Sequence, residues 1–507
     1  MAQKAPGTTV GSSGRGSATR KLAPLIPVAL PILVGLAHGV VGNGGAGTPV
    51  ASASPPAVVR QQGSTSFVPE NTLSGIRCGG GTTDSPPCAA PYPMLTKGHP
   101  VEWFFVFKLN ASVFPKCGDG SDTRTCTFDS GLQAADYKQG FGQRYLVSSN
   151  EAPALADGGP QCVGTSTSDP VGATFDEVYN GGYHYLIWND QFHDLPPSAV
   201  LNCPKGDCGS PWGHSKGMLA WNDAGEGFVM QVSTPSWPGA GNPNFHRKIG
   251  NTLGCIVGDD DVGVSQHFFA LHLNKSDLIQ VLTGLNEASV ATDPTNPQVA
   301  SSTAGSPPEI VKLVSTLGVK SNQTGLDGSM PVTLSSGVQF IAKPSGLHVP
   351  PWQMVSAELG GVPLRAATWW ADPYITSTTA ETPVPCWDSA LAAGSVRGKP
   401  GAVDIAATGT WGSPGKTFRL ESSPGTNGNH AKVGVSTTAT DHYAIFGDEN
   451  QQGTLGGPGE DCGRSQNGRG GMFFVLHNEP LSTSLGALIE VGTPGAIAPP
   501  PKASAKP

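Results

Sequence analysis

Short apolar runs, separated by stretches rich in Gly and Pro, dominate the sequence. The densest run, Val101–Leu109, combines β-branched and aromatic residues in the manner of a buried strand. Residues Ser276–Leu285 are compatible with a short helix. The pattern predicts a β-rich chain, with further strands at Tyr183–Trp188, Gly227–Val232, His267–Leu271, Gly337–Ile341 and Met472–Leu476.

The predicted strands fall into two groups of similar size. Residues 286–308 are rich in Ala, Ser, Thr and Pro, a composition that predicts a linker between two bodies. We therefore expect a first half over residues 88–285 and a second half over residues 309–490. The composition also predicts a Gly-, Ser- and Pro-rich lead-in over 54–87 and a flexible tail over 491–507.

The N-terminal region has the features of an export signal. Basic residues precede the apolar stretch Leu22–Val41, and the small residues Ala51–Ala53 follow it. This order predicts a signal peptide over residues 1–53 that is removed from the mature protein. A membrane anchor of similar length is the alternative, although three prolines interrupt the stretch.

The cysteine count is consistent with an oxidising compartment. The chain has 10 cysteines, and an even number in an exported protein indicates disulfides, five if all are paired. Cys386 and Cys462 are the two that follow residue 260, so they form a natural pair. A zinc site at Cys203 and Cys208 is the weaker alternative, because no second ligand pair stands at a suitable spacing.

Charge restricts the classes of partner. Charged residues make up 13 % of the 507 residues, about half the usual share, and the net charge is −8. Residues 1–53 carry four basic residues and no acidic one, so the chain without them has a net charge of −12. A chain this acidic does not bind nucleic acid by general attraction to the phosphate backbone. If it handles nucleic acid, it must do so through a local basic cleft.

Each half carries one small motif with the chemistry of phosphoryl transfer. The first half has Gly213-His214-Ser215-Lys216, and the second has Asn429-His430-Ala431-Lys432. In an extended strand, residues two apart point to the same face, so each His and Lys would project together. An imidazole can attack phosphorus or donate a proton, while a Lys ammonium neutralises the non-bridging oxygens. Alternatively, either pair consists of surface strand residues without a catalytic role.

Several blocks stand in a characteristic order along the chain: Val101–Leu109, Trp188–Gln191, Gly213–Gly217, Gly227–Pro235, Asn429–Lys432, Gly447–Asn450 and Arg469–Gly471. Together they resemble the deoxyribonuclease II family of acid endonucleases. The resemblance implies a phospholipase D-like pseudo-dimer of class α+β or α/β, with two mixed β-sheet halves and flanking helices. It implies His214 and Lys216 as one half-site, His430 and Lys432 as the other, and no metal.

The sequence also departs from the family pattern. No acidic residue completes the first motif at the usual phospholipase D offset, where Trp221 stands. Asn222 and Asp448 are the candidate replacements. Val232 occupies a position where the animal enzymes would have a histidine.

The resemblance predicts a secreted endodeoxyribonuclease, of lysosomal type in an animal host, that acts on DNA without a metal or other cofactor. It would work through a phosphohistidine, leave 3′-phosphate ends, and have no stable membrane association after signal cleavage. The oligomeric state is left open. Two alternatives remain: a phospholipase D-like phosphodiesterase acting on a non-DNA diester, and a non-catalytic exported binding protein.

Overall fold

The computed structural model describes most of the two predicted halves. The predicted signal peptide at 1–53, the lead-in at 54–87 and the tail at 491–507 lie outside the described residues, and so do most of the cysteines. The described residues are 89–110, 145–159, 163–164, 167–191, 208–235, 264–297, 299–319, 331–371, 373–390, 398–412, 415–420 and 428–489.

The first half is built around an antiparallel sheet that has seven strands within the described residues. Its spatial order is β5-β4-β3-β9-β8-β7-β6. The predicted apolar runs of this half correspond to β3, β6, β8 and β9, and the predicted helix to α2. The elements are β1 (Met94–Thr96), β2 (His99–Pro100), β3 (Trp103–Lys108), β4 (Tyr145–Ser149), β5 (Ala156–Gly159), α1 (Pro170–Gly181), β6 (His184–Asn189), β7 (Lys216–Trp221), β8 (Gly227–Val232), β9 (Gln266–Leu273) and α2 (Lys275–Glu287).

The second half contains another sheet of seven described strands and a separate small hairpin. Its elements are α3 (Pro308–Ser315), β10 (Val332–Thr333), β11 (Gln339–Lys343), α4 (Pro351–Glu358), β12 (Leu364–Ala367), α5 (Pro385–Ala390), β13 (Val403–Ile405), β14 (Thr408–Trp411), β15 (Lys416–Arg419), β16 (Val433–Ser436), β17 (Tyr443–Gly447), β18 (Gly471–His477) and α6 (Glu479–Leu488). The sheet order is β10-β11-β18-β17-β16-β12-β13, and β14 pairs with β15. This sheet is mixed because β12 and β13 are parallel. None of the described helices is long and apolar enough to span a membrane.

The two sheets are related by an internal repeat. The series β4-β3-β9-β8-β7-β6 of the first sheet has its counterpart in β10-β11-β18-β17-β16-β12 of the second. Both repeats end in a helix whose N-cap asparagine accepts a hydrogen bond from a backbone N–H of the first turn, Asn274 for α2 and Asn478 for α6. The predicted pseudo-dimer of two β-sheet halves with flanking helices is confirmed. The first sheet differs from the expected mixed type because all its described pairings are antiparallel.

The two halves share one hydrophobic core. The Phe269 ring stacks on Phe446 of the other half with a centroid distance of 4.3 Å, and Phe105 approaches the same ring at 4.6 Å. Such aromatic pairs contribute about 1 kcal/mol beyond the burial of their surface. Each sheet also has an outer core, under α1 in the first half and under α4 in the second. The shared core fixes the two sheets against each other.

The segment predicted as a linker runs along the edge of the first sheet. The backbone N–H of Ile187 donates to the Val299 carbonyl at 2.7 Å, and the N–H of Asn189 donates to Ala291 at 3.0 Å. Both donors belong to β6, whose outer edge would otherwise be unpaired. The connection between the halves is therefore part of the structure that supports β6.

The predicted disulfide between Cys386 and Cys462 is confirmed. The two sulfur atoms are 2.03 Å apart, and the bridge closes a loop with a sequence separation of 76. Cys208 is also disulfide-bonded. No cysteine within the described residues is free.

Candidate active site

Strand register places the two His-x-Lys motifs at equivalent positions of the repeat. Gly217 on β7 pairs with Gln231, and Val433 on β16 pairs with Phe446, which are equivalent positions in the two sheets. Counting back along each chain makes Lys216 equivalent to Lys432, and each histidine lies two residues earlier. Each motif therefore leads into the same strand of its half.

Backbone hydrogen bonds tie each histidine to the opposite half. The N–H of His214 donates to the Gly470 carbonyl at 2.8 Å, and the N–H of His430 donates to the Ser265 carbonyl at 2.8 Å. Gly470 directly precedes β18, and Ser265 directly precedes β9, so the two bonds are equivalent under the repeat. A third cross-half bond runs from the Lys432 N–H to Nδ1 of His267 at 3.1 Å. The two motifs thus lie together at the interface between the sheets.

The His214 imidazole is held in one tautomer. Its Nδ1 donates to the backbone carbonyl of Asp448 at 2.8 Å, and a carbonyl can only accept. Nε2 therefore carries the lone pair when the ring is neutral. Burial, followed by the charge of Lys216, lowers the pKa of His214 well below its ordinary value. Burial thus favours the neutral ring, whose Nε2 lone pair is available to a bound group.

A buried carboxylate joins Lys216 to an arginine of the other half. Nζ of Lys216 lies 2.6 Å from Oδ1 of Asp190, and Nη2 of Arg469 lies 2.7 Å from its Oδ2. Burial alone would raise the pKa of Asp190, but the charges of Lys216 and Arg469 hold it well below its usual value. Asp190 therefore stays ionised and fixes the position of the Lys216 ammonium.

Arg469 also holds the backbone that leads to the first motif. Its Nε donates to the Trp212 carbonyl at 2.9 Å, and Nη2 donates to the carbonyls of Cys208 and Gly213 at 2.6 and 3.0 Å. The planar guanidinium suits such simultaneous contacts. One side chain of the second half therefore orders the loop from which His214 projects.

The second half-site is built differently. Nζ of Lys432 donates to the backbone carbonyl of His430 at 2.6 Å. Burial, with the nearby charge of Lys216, lowers the pKa of Lys432 well below its ordinary value. The position equivalent to Asp190 is Trp369, whose ring meets the His430 ring edge-to-face at 4.6 Å and 73°. The two half-sites are equivalent in backbone and unlike in side chains.

Asp448 is brought to the site. Its Oδ2 accepts from the Met472 N–H at 3.1 Å. Burial raises the pKa of Asp448 to about 7, against the smaller effects of the Ser215 hydroxyl and the Lys216 charge. Its equivalent in the first half is Ser233, whose hydroxyl accepts from the His267 N–H at 2.8 Å. An acidic residue thus occupies this position in one half and a neutral one in the other.

Asn222, by contrast, is not brought to the site. It follows the far end of β7, six residues beyond Lys216 at the start of that strand. Its Oδ1 accepts from the N–H groups of Ala224 and Glu226 at 3.0 Å each. These bonds close the turn between β7 and β8, which accounts for its burial.

Asp190, Arg469 and His267 are site residues that the sequence reasoning did not assign. The first two stand inside blocks that carry the family resemblance, so their place in those blocks was an available signal. An acidic residue directly after a predicted strand was a further signal for Asp190. Within the described residues, no group of three or more His, Cys, Asp or Glu side chains could hold a metal ion.

Comparison with known proteins identifies the family. The family model described as Deoxyribonuclease II matches residues 93–370, which include His214 and Lys216 and end before the second motif. No curated protein matches the chain. Among solved structures, the yeast tyrosyl-DNA phosphodiesterase is similar at 9 % identity, with a TM-score of 0.24, over 53 % of this chain and 67 % of that one. The chain belongs to the deoxyribonuclease II family and is a hydrolase of that family.

Proposed function

We propose that this protein is an exported acid endodeoxyribonuclease that cleaves DNA without a metal and leaves 3′-phosphate ends. Membership of the deoxyribonuclease II family implies a DNA phosphodiesterase. The observation that carries the finer proposal is the equivalent placement of the two His-x-Lys motifs, each bonded to the opposite half through its histidine N–H. Two imidazoles and two lysines supply a nucleophile, an acid and positive charge at one phosphate.

The two histidines take different roles. Nε2 of His214 attacks phosphorus, and the bond between phosphorus and the 5′ oxygen breaks. His430 gives its proton to the departing 5′ oxygen, so that a 5′-hydroxyl strand leaves and a 3′-phosphohistidine remains. Neutral His430 then takes a proton from water, whose oxygen attacks phosphorus and breaks the P–N bond. The products are a 3′-phosphate and the original His214.

The lysines stabilise charge in the transition state. The Lys216 ammonium is fixed by Asp190 at 2.6 Å, so it needs little reorganisation when charge grows on the non-bridging oxygens. Burial and the charge of Lys216 lower the pKa of Lys432, and a bound phosphate would oppose both effects by favouring its charged form. Substrate binding thus favours the charged form of Lys432 where the negative charge develops.

These roles require acid conditions. His214 must be neutral while His430 must carry a proton, so the rate depends on pH in a bell shape. The lowered pKa of His214 favours the neutral nucleophile, whereas an ordinary histidine, with a pKa of about 6.5, is protonated in acid. We expect an optimum between about pH 4.5 and 6, with a steep fall by about pH 7.5. A maximum above about pH 8, or activity that needs added magnesium or calcium, would contradict the two-histidine mechanism.

Plasmid nicking in EDTA at about pH 5 tests the activity. His214→Ala and His430→Ala should each remove nearly all turnover, because residues that act as a unit are not additive. His99→Ala is the matched control, since His99 is half-exposed and lies on β2. Near-full activity in either motif variant would reject the shared site, and 3′-hydroxyl products would reject the cleavage chemistry. Turnover of phospholipid but not DNA would favour another diester.

Export is the remaining part of the proposal. The disulfide between Cys386 and Cys462 is typical of proteins that mature in an oxidising compartment. N-terminal sequencing of the protein recovered from the culture medium should begin close to residue 54. Retention of residues 1–53 in a membrane fraction would replace the signal peptide with an anchor.

A further inference from the structure

A group of aromatic rings lies directly beside His430. Trp369 and Trp370 follow the end of β12, and both side chains are partly exposed. The Trp369 ring is 4.6 Å from the His430 ring, and the Trp370 ring is 5.5 Å from Tyr374. An indole is therefore in direct contact with an imidazole that we propose to be catalytic.

The internal repeat shows that this indole replaces a structural group. Trp369 stands where the first half has Asp190, which is fully buried and joins Lys216 to Arg469. Trp369 has no charged group with which to form an ion pair, and its side chain is partly exposed to solvent. The second half therefore presents an aromatic surface at the position where the first half fixes its lysine.

The contact with His430 does not cover the whole Trp369 side chain, which stays partly exposed. In an edge-to-face pair, the imidazole can cover at most one face of the indole, and the interplanar angle here is 73°. A phosphate at His430 carries a nucleoside on each side, so a neighbouring base falls within reach of the indole. Bases stack on aromatic side chains with little regard to sequence, because every base has a π face.

We propose that Trp369 forms a nucleobase subsite that stacks an unpaired base next to the phosphate at His430. The inference rests on the proposed nuclease function and adds a preference to it: DNA with an unpaired base next to the cleaved phosphate, in a single strand or a locally opened duplex, binds more tightly than fully paired duplex. The overall charge supports it: a chain with a net charge of −8 gains less from general attraction to phosphates than a basic protein would. Stacking supplies affinity that does not depend on net charge.

Kinetics with a single-stranded oligonucleotide in EDTA test the subsite from the protein side. Trp369→Leu should raise KM by about 10-fold or more with kcat little changed, the loss expected for one stacked base. Trp369→Phe keeps an aromatic face and should recover most of the affinity. Trp411→Leu, in the small hairpin strand β14, is the matched control for loss of a partly buried indole. An unchanged KM in Trp369→Leu, or a fall in kcat alone, would overturn the proposal.

Abasic oligonucleotides test the same subsite from the DNA side. An abasic residue next to the cleaved phosphate should weaken wild-type binding by about 10-fold, and should have little further effect in Trp369→Leu. Equal losses in the two proteins would show that the base and the indole do not interact. Equal Trp369→Leu defects on duplex and single-stranded DNA would reject the preference for unpaired bases. Absence of cleavage by the wild-type protein would reject the nuclease function itself, and binding to His214→Ala would still report on the subsite.

Discussion

Replacing Asp190 by Asn removes one charge from the centre of the site and keeps the size of the side chain. The Asp190 carboxylate is fully buried and accepts from Lys216 at 2.6 Å and from Arg469 at 2.7 Å. The asparagine amide would offer one carbonyl oxygen in place of two charged ones and would place an N–H₂ group against a cation. We expect both stability and activity to fall, for separable reasons.

The structure indicates how the loss divides between the two cations. Arg469 would keep its bonds to the carbonyls of Trp212, Cys208 and Gly213. Lys216 donates to Asp190 and has no other acceptor among the described hydrogen bonds, so most of the loss falls on its ammonium. Removing one partner of a buried ion pair costs about 3 to 5 kcal/mol. If the displaced ammonium also stops stabilising the transition state, a loss of about 3 kcal/mol there lowers kcat/KM by about 100-fold.

Two measurements separate the effects. Urea unfolding gives the change in stability, and plasmid nicking at about pH 5 gives the change in kcat/KM. Because the pKa of Asp190 is held below its ordinary value, its contribution is present above about pH 4 and is lost only in stronger acid. The Asp190→Asn variant should thus be destabilised equally at about pH 5 and 7.

Asp223→Asn is the matched control. Asp223 also accepts from a basic side chain, His184 at 2.7 Å, but it belongs to the turn at the far end of β7. The control should lose some stability and keep its activity. If Asp190→Asn retains kcat/KM within about threefold while stability falls, Asp190 is a structural residue that does not position Lys216 for catalysis.

Three further predictions concern stability and packing. Burial raises the pKa of Glu449 to about 8, so its contribution is full below about pH 4.5 and is lost as the pH rises towards 8; Glu449→Gln should flatten this dependence in urea unfolding, and an unchanged slope would contradict it. Replacing Cys386 and Cys462 together by Ser should cost about 4 kcal/mol for a loop of this length, measured against the wild type with and without reductant; equal stability would show that the bridge contributes nothing. Gly217→Ala would press a Cβ against the Trp188 ring and should lower both stability and nicking activity, whereas Gly209→Ala, with open space around its Cβ, should not.

Each of the six apolar runs predicted as strands contains or overlaps a strand of the structure, whereas β17, also a short apolar run between polar residues, was not predicted. The run predicted at Gly227–Val232 is β8 in the structure, and that at Val101–Leu109 contains β3. These strands are buried on both faces between the shared core and an outer core, which is why their sequences are continuously apolar. The His-x-Lys motifs were found for a different reason: their chemistry is local to three residues.

The surroundings of the motifs depend on contacts between distant parts of the chain. Asp190 reaches Lys216 because β6 and β7 pair with Asn189 opposite Lys216, and an apolar pattern cannot reveal that register. Asn222 was selected by its offset from the first motif. Strand β7 begins at the site, however, and Asn222 follows its far end. Composition indicated a linker at residues 286–308 and could not show that it pairs with β6.

The hydrogen bond from the His214 N–H to the Gly470 carbonyl also sets when the site can first exist. A ribosome makes the first half long before it makes Gly470, which follows His214 by 256 residues. Until then a nascent chain has His214 and Lys216 but lacks Arg469, which orders the loop before His214, and the Asp448 carbonyl, which selects its tautomer. Domains generally fold as they emerge, N-terminal part first. A chain that stops before Arg469 and Gly470 therefore cannot assemble the candidate site around His214.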